Sequence, residues 1–176
     1  MTRNKPLTKK YIESIFTVNL ITGKLYWKVS PKYSSVEIGK EAGHVLKDKR
    51  NDRHYFYITI RRVRYRRAHL ILLLKTGVWP KNQADHINRN TLDDRAINLR
   101  HATVAQNSWN KMPAKRKNDL PHGVYLDGNK FRARIKKNYK SIHLGLFASK
   151  EKARAAYLNA QKKLFGEFAM IAGRKV

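Results

Sequence analysis

The chain has 176 residues, and its 39 lysines and arginines outweigh its 12 aspartates and glutamates to give a net charge of +27. Such a basic chain repels itself and favours a polyanionic partner, so nucleic acid is expected. The absence of cysteine excludes disulfides and thiolate zinc sites. We find no signal peptide and no apolar run near the ~20 residues of a membrane span, so we expect no membrane contact and a cytoplasmic location.

The first predicted region, about residues 11–80, is rich in strands. Turn residues separate the apolar runs within Phe16–Trp27, and Tyr55–Ile60 and Val63–Tyr65 predict two strands. Arg66–Lys75 predicts a short helix that a glycine and a proline terminate. The arginines of this region that we expect to grip a phosphate backbone are Arg61, Arg62, Arg64, Arg66 and Arg67.

The catalytic chemistry is expected in residues 81–112, where polar side chains cluster between short apolar segments. Ile87 and Leu99 are apolar anchors on two short predicted strands, and the polar residues between them predict a loop. Thr103 begins a Thr-x-x-Gln capping box, so a helix should start after it. The predicted layout is strand, loop, strand, helix.

This stretch resembles the HNH nuclease family, whose catalytic module has a ββα-metal fold. The resemblance rests on Asp85-His86, on Asn98 twelve residues after the histidine, and on Asn107 nine residues later. Arg66–Leu70 also resembles the segment that leads into the motif in phage and intron-encoded members. Asparagine fills the last position, as in many relatives of this subgroup, which leaves the metal with one imidazole ligand fewer.

The resemblance implies hydrolysis of phosphodiester bonds with a divalent metal, Mg²⁺ or Mn²⁺. Asp85 and Asn107 provide hard oxygen donors suited to these ions, so we expect them to be the metal ligands. His86 is the expected general base, because an imidazole titrates near neutral pH. Asn98 joins it in the catalytic group by tying the loop and orienting His86. Because neighbours in an ideal strand face opposite sides, we expect a twist or a bulge at positions 85 and 86.

Several polar neighbours of the motif have more than one possible role. His101 is expected to pack or to contact DNA, and Asn110 is a reserve metal ligand on the helix face of position 107. Asp93 and Asp94 are expected to pair with the arginine at position 95 or 100, or to cap the loop. His69 is expected to be structural and to hold its helix against the catalytic module.

The C-terminal region predicts a small sheet packed on one helix. An Asp-Gly turn joins Gly123–Leu126 to a second strand, Asn129–Lys136, in which apolar residues alternate with cations. Lys140–Phe147 predicts a third strand. An amphipathic helix then begins after Ser149 and ends at Gly166.

This arrangement resembles the Apetala/ethylene-response-factor type of DNA-binding domain over about residues 122–168. The fragments that carry the resemblance are Gly123-Val124-Tyr125, Phe131-Arg132-Ala133, Leu144-Gly145-Leu146-Phe147 and Ala153 to Ala156. In that family the sheet enters the major groove, where arginine suits guanine best. Residues 123–168 hold eleven Lys plus Arg against three Asp plus Glu, a net of +8. The contact residues expected by position are Arg132, Arg134, Lys136 and Lys140.

Together these patterns predict an α+β protein with a nuclease domain at residues 1–112, a linker at 113–121 and a DNA-binding domain at 122–176. The nuclease domain combines a β-rich N-terminal extension with the ββα-metal core at 81–112. The expected function is a homing-type endonuclease that nicks or cleaves double-stranded DNA, acting in a bacterial host cell if phage-encoded. We expect a monomer or weak dimer without a small-molecule cofactor. Two alternatives stay open: a DNA-binding regulator with a decayed nuclease fold, and an RNA-binding protein.

Overall fold

A computed structural model describes residues 7–30, 36–49, 52–111 and 119–170 of the chain. The chain forms two compact units that divide after Thr103. The boundary predicted at residue 112 differs, because the short helix after Thr103 groups with the second unit. Most of the predicted linker, residues 113–118, lies outside the described residues. No helix in the described ranges has the length and apolar character that crossing a membrane requires.

The first unit contains three small antiparallel sheets: an N-terminal hairpin, a three-stranded meander and a two-stranded pair. The strands predicted within residues 55–65 are confirmed, and they belong to the meander. In chain order the strands are β1 (Phe16–Asn19) and β2 (Lys24–Trp27) of the hairpin, β3 (His44–Asp48), β4 (Arg53–Ile60) and β5 (Val63–Arg66) of the meander, and β6 (Gln83–His86) and β7 (Leu99–Ala102) of the pair.

Two helices complete the first unit. α1 (Lys9–Ile15) begins at Thr8, whose hydroxyl caps it. α2 (Arg67–Thr76) ends at Gly77, which adopts the left-handed conformation with φ of 75°. The Leu70–Leu74 run of α2 is buried on every side, because α2 packs against α1, the meander and the two-stranded pair. A helix that is apolar all round is stable only when enclosed, so α2 is the centre of this unit.

All three sheets contribute to one core around α2. Phe16 and Leu25 come from the hairpin, Ile58 from the meander and Leu99 from β7. Small sheets of two or three strands are marginal by themselves and need a packed partner. The central helix therefore holds in place the short strands β6 and β7.

The second unit is the predicted sheet and helix, preceded by a short helix. The sheet is an antiparallel meander in the order of the sequence, and the last helix packs against it. A hydroxyl cap at Ser149 and a terminal glycine bound that helix, as predicted. Its elements are α3 (Val104–Trp109), β8 (Val124–Asp127), β9 (Lys130–Lys137), β10 (Lys140–Phe147) and α4 (Lys150–Phe165), followed by a 3-10 turn at Gly166–Phe168.

The core of the second unit follows the alternation of β9. Ala133 and Ile135 are buried under α4, whereas the cations between them are exposed. Trp109 of α3 stacks on Phe165 of α4, with ring centroids 4.6 Å apart and an interplanar angle of 17°. This aromatic contact explains why α3 groups with the second unit, because such a stack adds to the free energy of burying both rings.

Candidate active site

Asp85 and His86 are the last two residues of β6, and both side chains are buried. β6 pairs with β7 in regular register, which places Asp85 opposite Arg100. Arg100 Nε donates to Asp85 Oδ2 at 2.8 Å. His86 Nε2 lies 2.8 Å from Asp94 Oδ1. The pairing contains no bulge at these residues, and each of the two side chains has its own buried charged partner.

A chain of ion pairs runs from His86 to the N-terminal hairpin. Asp94, only 2% exposed, accepts from Arg67 Nε at 2.8 Å through its second carboxylate oxygen. Arg67 also donates to Glu41 at 2.7 Å, and Glu41 accepts from Lys24 at 2.9 Å. Burial raises the pKa of Glu41, but hydrogen bonds from Lys24 and Arg67 outweigh it and hold this pKa below its usual value. His86 is thus oriented by charges from several elements.

Arg67 corrects one prediction from the sequence. It was expected to contact DNA, but it is 3% exposed and its guanidinium binds two carboxylates. The guanidinium also lies 3.6 Å from the ring centroid of Phe56. A buried arginine with both ion pairs formed is unavailable to a phosphate, so its role is to hold Asp94.

The loop between β6 and β7 is organised around Asn98, which is 0% exposed. Its Oδ1 accepts from the amide of Asn88 at 2.9 Å, and its Nδ2 donates to the carbonyl of Asp93 at 2.7 Å. The Asp93 carboxylate in turn accepts from Arg95 and from the Asn88 side chain. These bonds close the loop and bring the adjacent Asp94 to His86.

Two contacts anchor the same loop to the rest of the first unit. Gly23, in the β1–β2 turn, approaches Asp94 so closely that an added Cβ would lie 2.3 Å from the Asp94 carbonyl carbon. The amide of Ala96 donates to the carbonyl of Leu20 at 3.0 Å. The N-terminal hairpin therefore packs against the loop between β6 and β7 and supports it.

The remaining predicted residues near the motif fall in both units. Asn107 is half-buried on α3, and the reserve ligand Asn110 is buried just after it, so both belong to the second unit. His101 is exposed, with Nε2 lying 3.0 Å from Thr76 Oγ1. The His69 ring packs edge-on against a tryptophan ring. Burial lowers the pKa of His69 from 6.5 to about 4, and the positive charge of Arg66 is the next cause of this shift.

Most arginines of the first unit that were predicted to bind DNA are exposed. Arg61 and Arg62 form the β4–β5 turn with φ of 51° and 64°. The Arg61 guanidinium lies 4.0 Å from the ring centroid of Tyr11 and donates to its hydroxyl. Arg64 is exposed, whereas Arg66 is partly buried and pairs with Asp48.

The outer face of β9 carries the cations predicted for the second unit. Arg132, Arg134 and Lys136 alternate with buried residues and are exposed; we call these three residues the cationic face. The Arg134 guanidinium lies 4.6 Å from the ring centroid of Tyr125 on β8. Lys140, at the start of β10, is also exposed.

Among the described residues, no group of three or more His, Asp or Glu side chains could hold a metal ion. Asp94 is paired with His86, so the buried Asp85, whose Oδ2 accepts from Arg100 Nε, is the candidate carboxylate ligand of the motif. Mg²⁺ commonly binds one or two carboxylates and completes its shell with waters and substrate phosphates. One carboxylate therefore fits a metal that protein and substrate hold jointly.

Comparison with known proteins places this geometry in context. Residues 66–109 match the family model described as HNH endonuclease. An uncharacterised HNH endonuclease of Acanthamoeba polyphaga mimivirus is 34% identical over 85 residues, which are 48% of this chain and 44% of that protein. The match thus spans less than half of the relative. No solved structure matches the chain.

These similarities support a nuclease. The HNH segment at residues 66–109 contains the buried Asp85, His86 and Asn98 as well as Asp94, which binds His86. HNH nucleases generally use a divalent metal. The fold is a mixture of helices and strands, in agreement with the predicted α+β class.

The pairings missed by sequence reasoning include Asp85 with Arg100, Asp94 with Arg67, and Asp94 with His86. The Asp85–Arg100 pair follows from the β6–β7 register, so aligning the two predicted strands would have revealed it. The partner of Asp94 was sought among the nearby arginines, but Asp94 binds Arg67, 27 residues away in the chain. A contact at that separation leaves no local pattern in the sequence.

Proposed function

We propose that this chain is a divalent-metal-dependent DNA endonuclease of the HNH type whose second unit binds DNA through its sheet. The observation that carries the proposal is the buried His86–Asp94 pair within the HNH segment, where the buried Asp85 is the preceding residue of β6. A histidine held by a carboxylate is suited to activating water at a phosphodiester.

His86 is the proposed general base. A carboxylate only accepts hydrogen bonds, so the neutral ring carries its hydrogen on Nε2 and directs it to Asp94. Nδ1 is then the basic nitrogen that takes a proton from the attacking water. Asp94 is a positioning residue, because it fixes the tautomer and stabilises the imidazolium that forms.

Asp85 is the proposed metal ligand, and we retain Asn107 as a second ligand on the strength of the family resemblance. When bound, Mg²⁺ or Mn²⁺ stabilises the charge on the phosphate and the leaving oxygen. Asn98 acts indirectly, since it holds the loop that presents Asp94 to His86.

The proposed DNA contacts are cations that the fold leaves exposed, together with Arg66, which is partly buried and pairs with Asp48. Such side chains can neutralise phosphates, and arginines on a sheet can also read guanine in the major groove. One site per chain cuts one strand per binding event, so double-strand cleavage would need two events or a dimer. The proposed contacts are Arg61, Arg62, Arg64 and Arg66 in the first unit, and Arg132, Arg134, Lys136 and Lys140 in the second.

A supercoiled-plasmid cleavage assay with Mg²⁺ or Mn²⁺ tests the proposal. The wild-type protein should convert the plasmid to nicked or linear DNA, and EDTA should abolish the conversion. His86→Ala should reduce the rate by roughly 100-fold or more, because it removes the general base. His44→Ala is the matched control, since this exposed imidazole on β3 lies in the same unit and should cut at the wild-type rate.

Other outcomes lead to other conclusions. Equal cleavage by wild type and His86→Ala would show a contaminant or a wrongly assigned base. Duplex binding without cleavage by either protein would favour the non-catalytic regulator. The homing type is tested with long DNA, where it predicts cleavage at very few sites.

A further inference from the structure

The tip of the β9–β10 hairpin holds an aromatic ring in an unfavourable backbone conformation. Its two turn residues, Asn138 and Tyr139, have φ of 49° and 64°. A two-residue turn of this kind favours asparagine and glycine, and a bulky residue there is strained. Tyr139 is 94% exposed, so burial within the fold does little to offset that strain. A tyrosine at this position therefore lowers the stability of the fold.

The surroundings of the ring are strongly cationic. Lys136 Nζ lies 5.9 Å from the ring centroid of Tyr139. Lys137 and Lys140 face each other across the strands at the base of the turn. Residues 128–150 include no aspartate or glutamate. An exposed aromatic ring surrounded by positively charged lysines is suited to a polyanion that also carries flat bases, which is what a nucleic acid is.

We propose that Tyr139 is a nucleobase-stacking residue at the end of the DNA-binding sheet. The proposal rests on the proposed binding of DNA by the second unit. The cationic face runs along β9 from Arg132 to Lys136 and leads directly to the tip, so phosphates held by these cations bring a base within reach of the ring. Such stacking needs a base whose face is open, as in a single-stranded overhang, because the faces of paired bases are covered by their neighbours; it tolerates any sequence, since every base has a flat face.

The test measures the affinity of the full chain for a labelled mixed-sequence duplex with a single-stranded overhang in EDTA, by fluorescence anisotropy. Tyr139→Ala should weaken binding roughly 5- to 100-fold, the range for losing one stacked base. Tyr139→Phe should bind like wild type, since it keeps the ring. The slope of affinity against salt should be unchanged in both variants, because neither removes a cation.

Tyr139→Gly separates stacking from turn geometry. Glycine adopts the left-handed conformation without strain, so this variant should melt no lower than wild type while losing as much affinity as Tyr139→Ala. Asn129→Ala, at the tip of the β8–β9 hairpin, is the control and should bind normally.

Three results would overturn the inference: Tyr139→Ala binding within twofold of wild type, full affinity in Tyr139→Gly, or loss of affinity in Tyr139→Phe. If substitutions on the cationic face weaken binding while Tyr139→Ala does not, only the stacking role fails. If neither set weakens binding, DNA binding by the second unit fails as well.

Discussion

At the scale of single residues, the site depends on buried charges that are paired with one another. Both carboxylate oxygens of Asp94 are engaged, one by His86 and one by Arg67. Removing one member of a buried pair leaves an uncompensated charge, which costs about 3–5 kcal/mol. The position of His86 is therefore set by residues that need not touch the substrate.

Asp94→Asn should slow cleavage by on the order of 100-fold, because the amide no longer fixes the tautomer of His86 or stabilises its protonated form. The reduction should appear in the single-turnover rate at saturating plasmid, while the affinity for duplex stays at the wild-type value. Asp52→Asn, an exposed carboxylate, is the control. Loss of the Arg67 pair lowers the melting temperature under either role, so a purely structural role is recognised by equal losses in rate and in affinity.

His69 should make stability depend on pH between about 6.5 and about 4. Its folded pKa is about 4, lowered first by burial and then by Arg66, whereas the unfolded value is near 6.5. The unfolded chain binds the proton more tightly, so this contribution is fully present above pH 6.5 and is lost as the pH falls towards 4. The loss should approach about 3 kcal/mol at most.

Urea unfolding at several pH values checks this dependence in wild type and in His69→Gln. The variant should show a flatter profile between about pH 6.5 and pH 5, above the range in which the carboxylates of Asp93 and Glu41 begin to lose their contributions. Identical slopes in the two proteins would show that His69 is not the group responsible.

At the scale of elements, short strands and loops take their positions from close backbone contacts. The turn of the N-terminal hairpin touches the catalytic loop at Gly23, where an added Cβ would meet the backbone of Asp94. A hairpin that has no catalytic side chain of its own thereby supports the residue that holds His86. Gly23 and Asp94 are 71 positions apart in the sequence. The central helix α2 packs against β6 and β7, the strands on either side of the loop.

Gly23→Ala should destabilise the protein by about 2–4 kcal/mol and reduce cleavage, because the methyl group forces the catalytic loop away. Gly77→Ala is a closely matched control. Both glycines have similar φ, 71° and 75°, but an added Cβ at Gly77 has nothing within 4 Å. The control should lose only about 1 kcal/mol of conformational energy, as measured by urea unfolding. Equal losses in both variants would contradict the role of the contact.

At the scale of the whole molecule, the net charge of +27 is distributed over both units. Part of it is neutralised internally, as in the pairs of Arg67 and Arg100, and part is exposed on the β4–β5 turn and on β9. Only the exposed part can release counterions from DNA, so affinity should depend on where a cation lies as much as on the total charge.

Replacing Arg132, Arg134 and Lys136 by glutamine should reduce the salt slope of duplex binding by about 3, since each lost phosphate contact contributes about 0.9. The matched control replaces Lys152, Lys162 and Lys163 of α4, which are equally exposed and remove the same charge. Titrations over a range of salt concentrations should show a much smaller change for the control. Equal changes would mean that the total charge, and not the cationic face, determines binding.

The sequence by itself determined the features that depend on local patterns. The alternation in β9 predicted which side chains are exposed, and the glycine after α2 predicted where that helix ends, because burial periodicity and backbone preference act over a few residues. The motif of Asp85, His86 and Asn98 was recognised by its resemblance to the HNH nuclease family, and the segment that matches HNH endonucleases covers it.

Only the tertiary structure decided which charges meet. Arg67, an expected DNA contact, is instead the partner of Asp94, and Glu41 binds the same arginine. Gly23 lies against the loop between β6 and β7. The tertiary structure also drew α3 into the second unit through the stack of Trp109 on Phe165. These contacts join residues tens of positions apart, and they form because packing around a shared core brings together side chains whose sequence neighbourhoods carry no trace of one another.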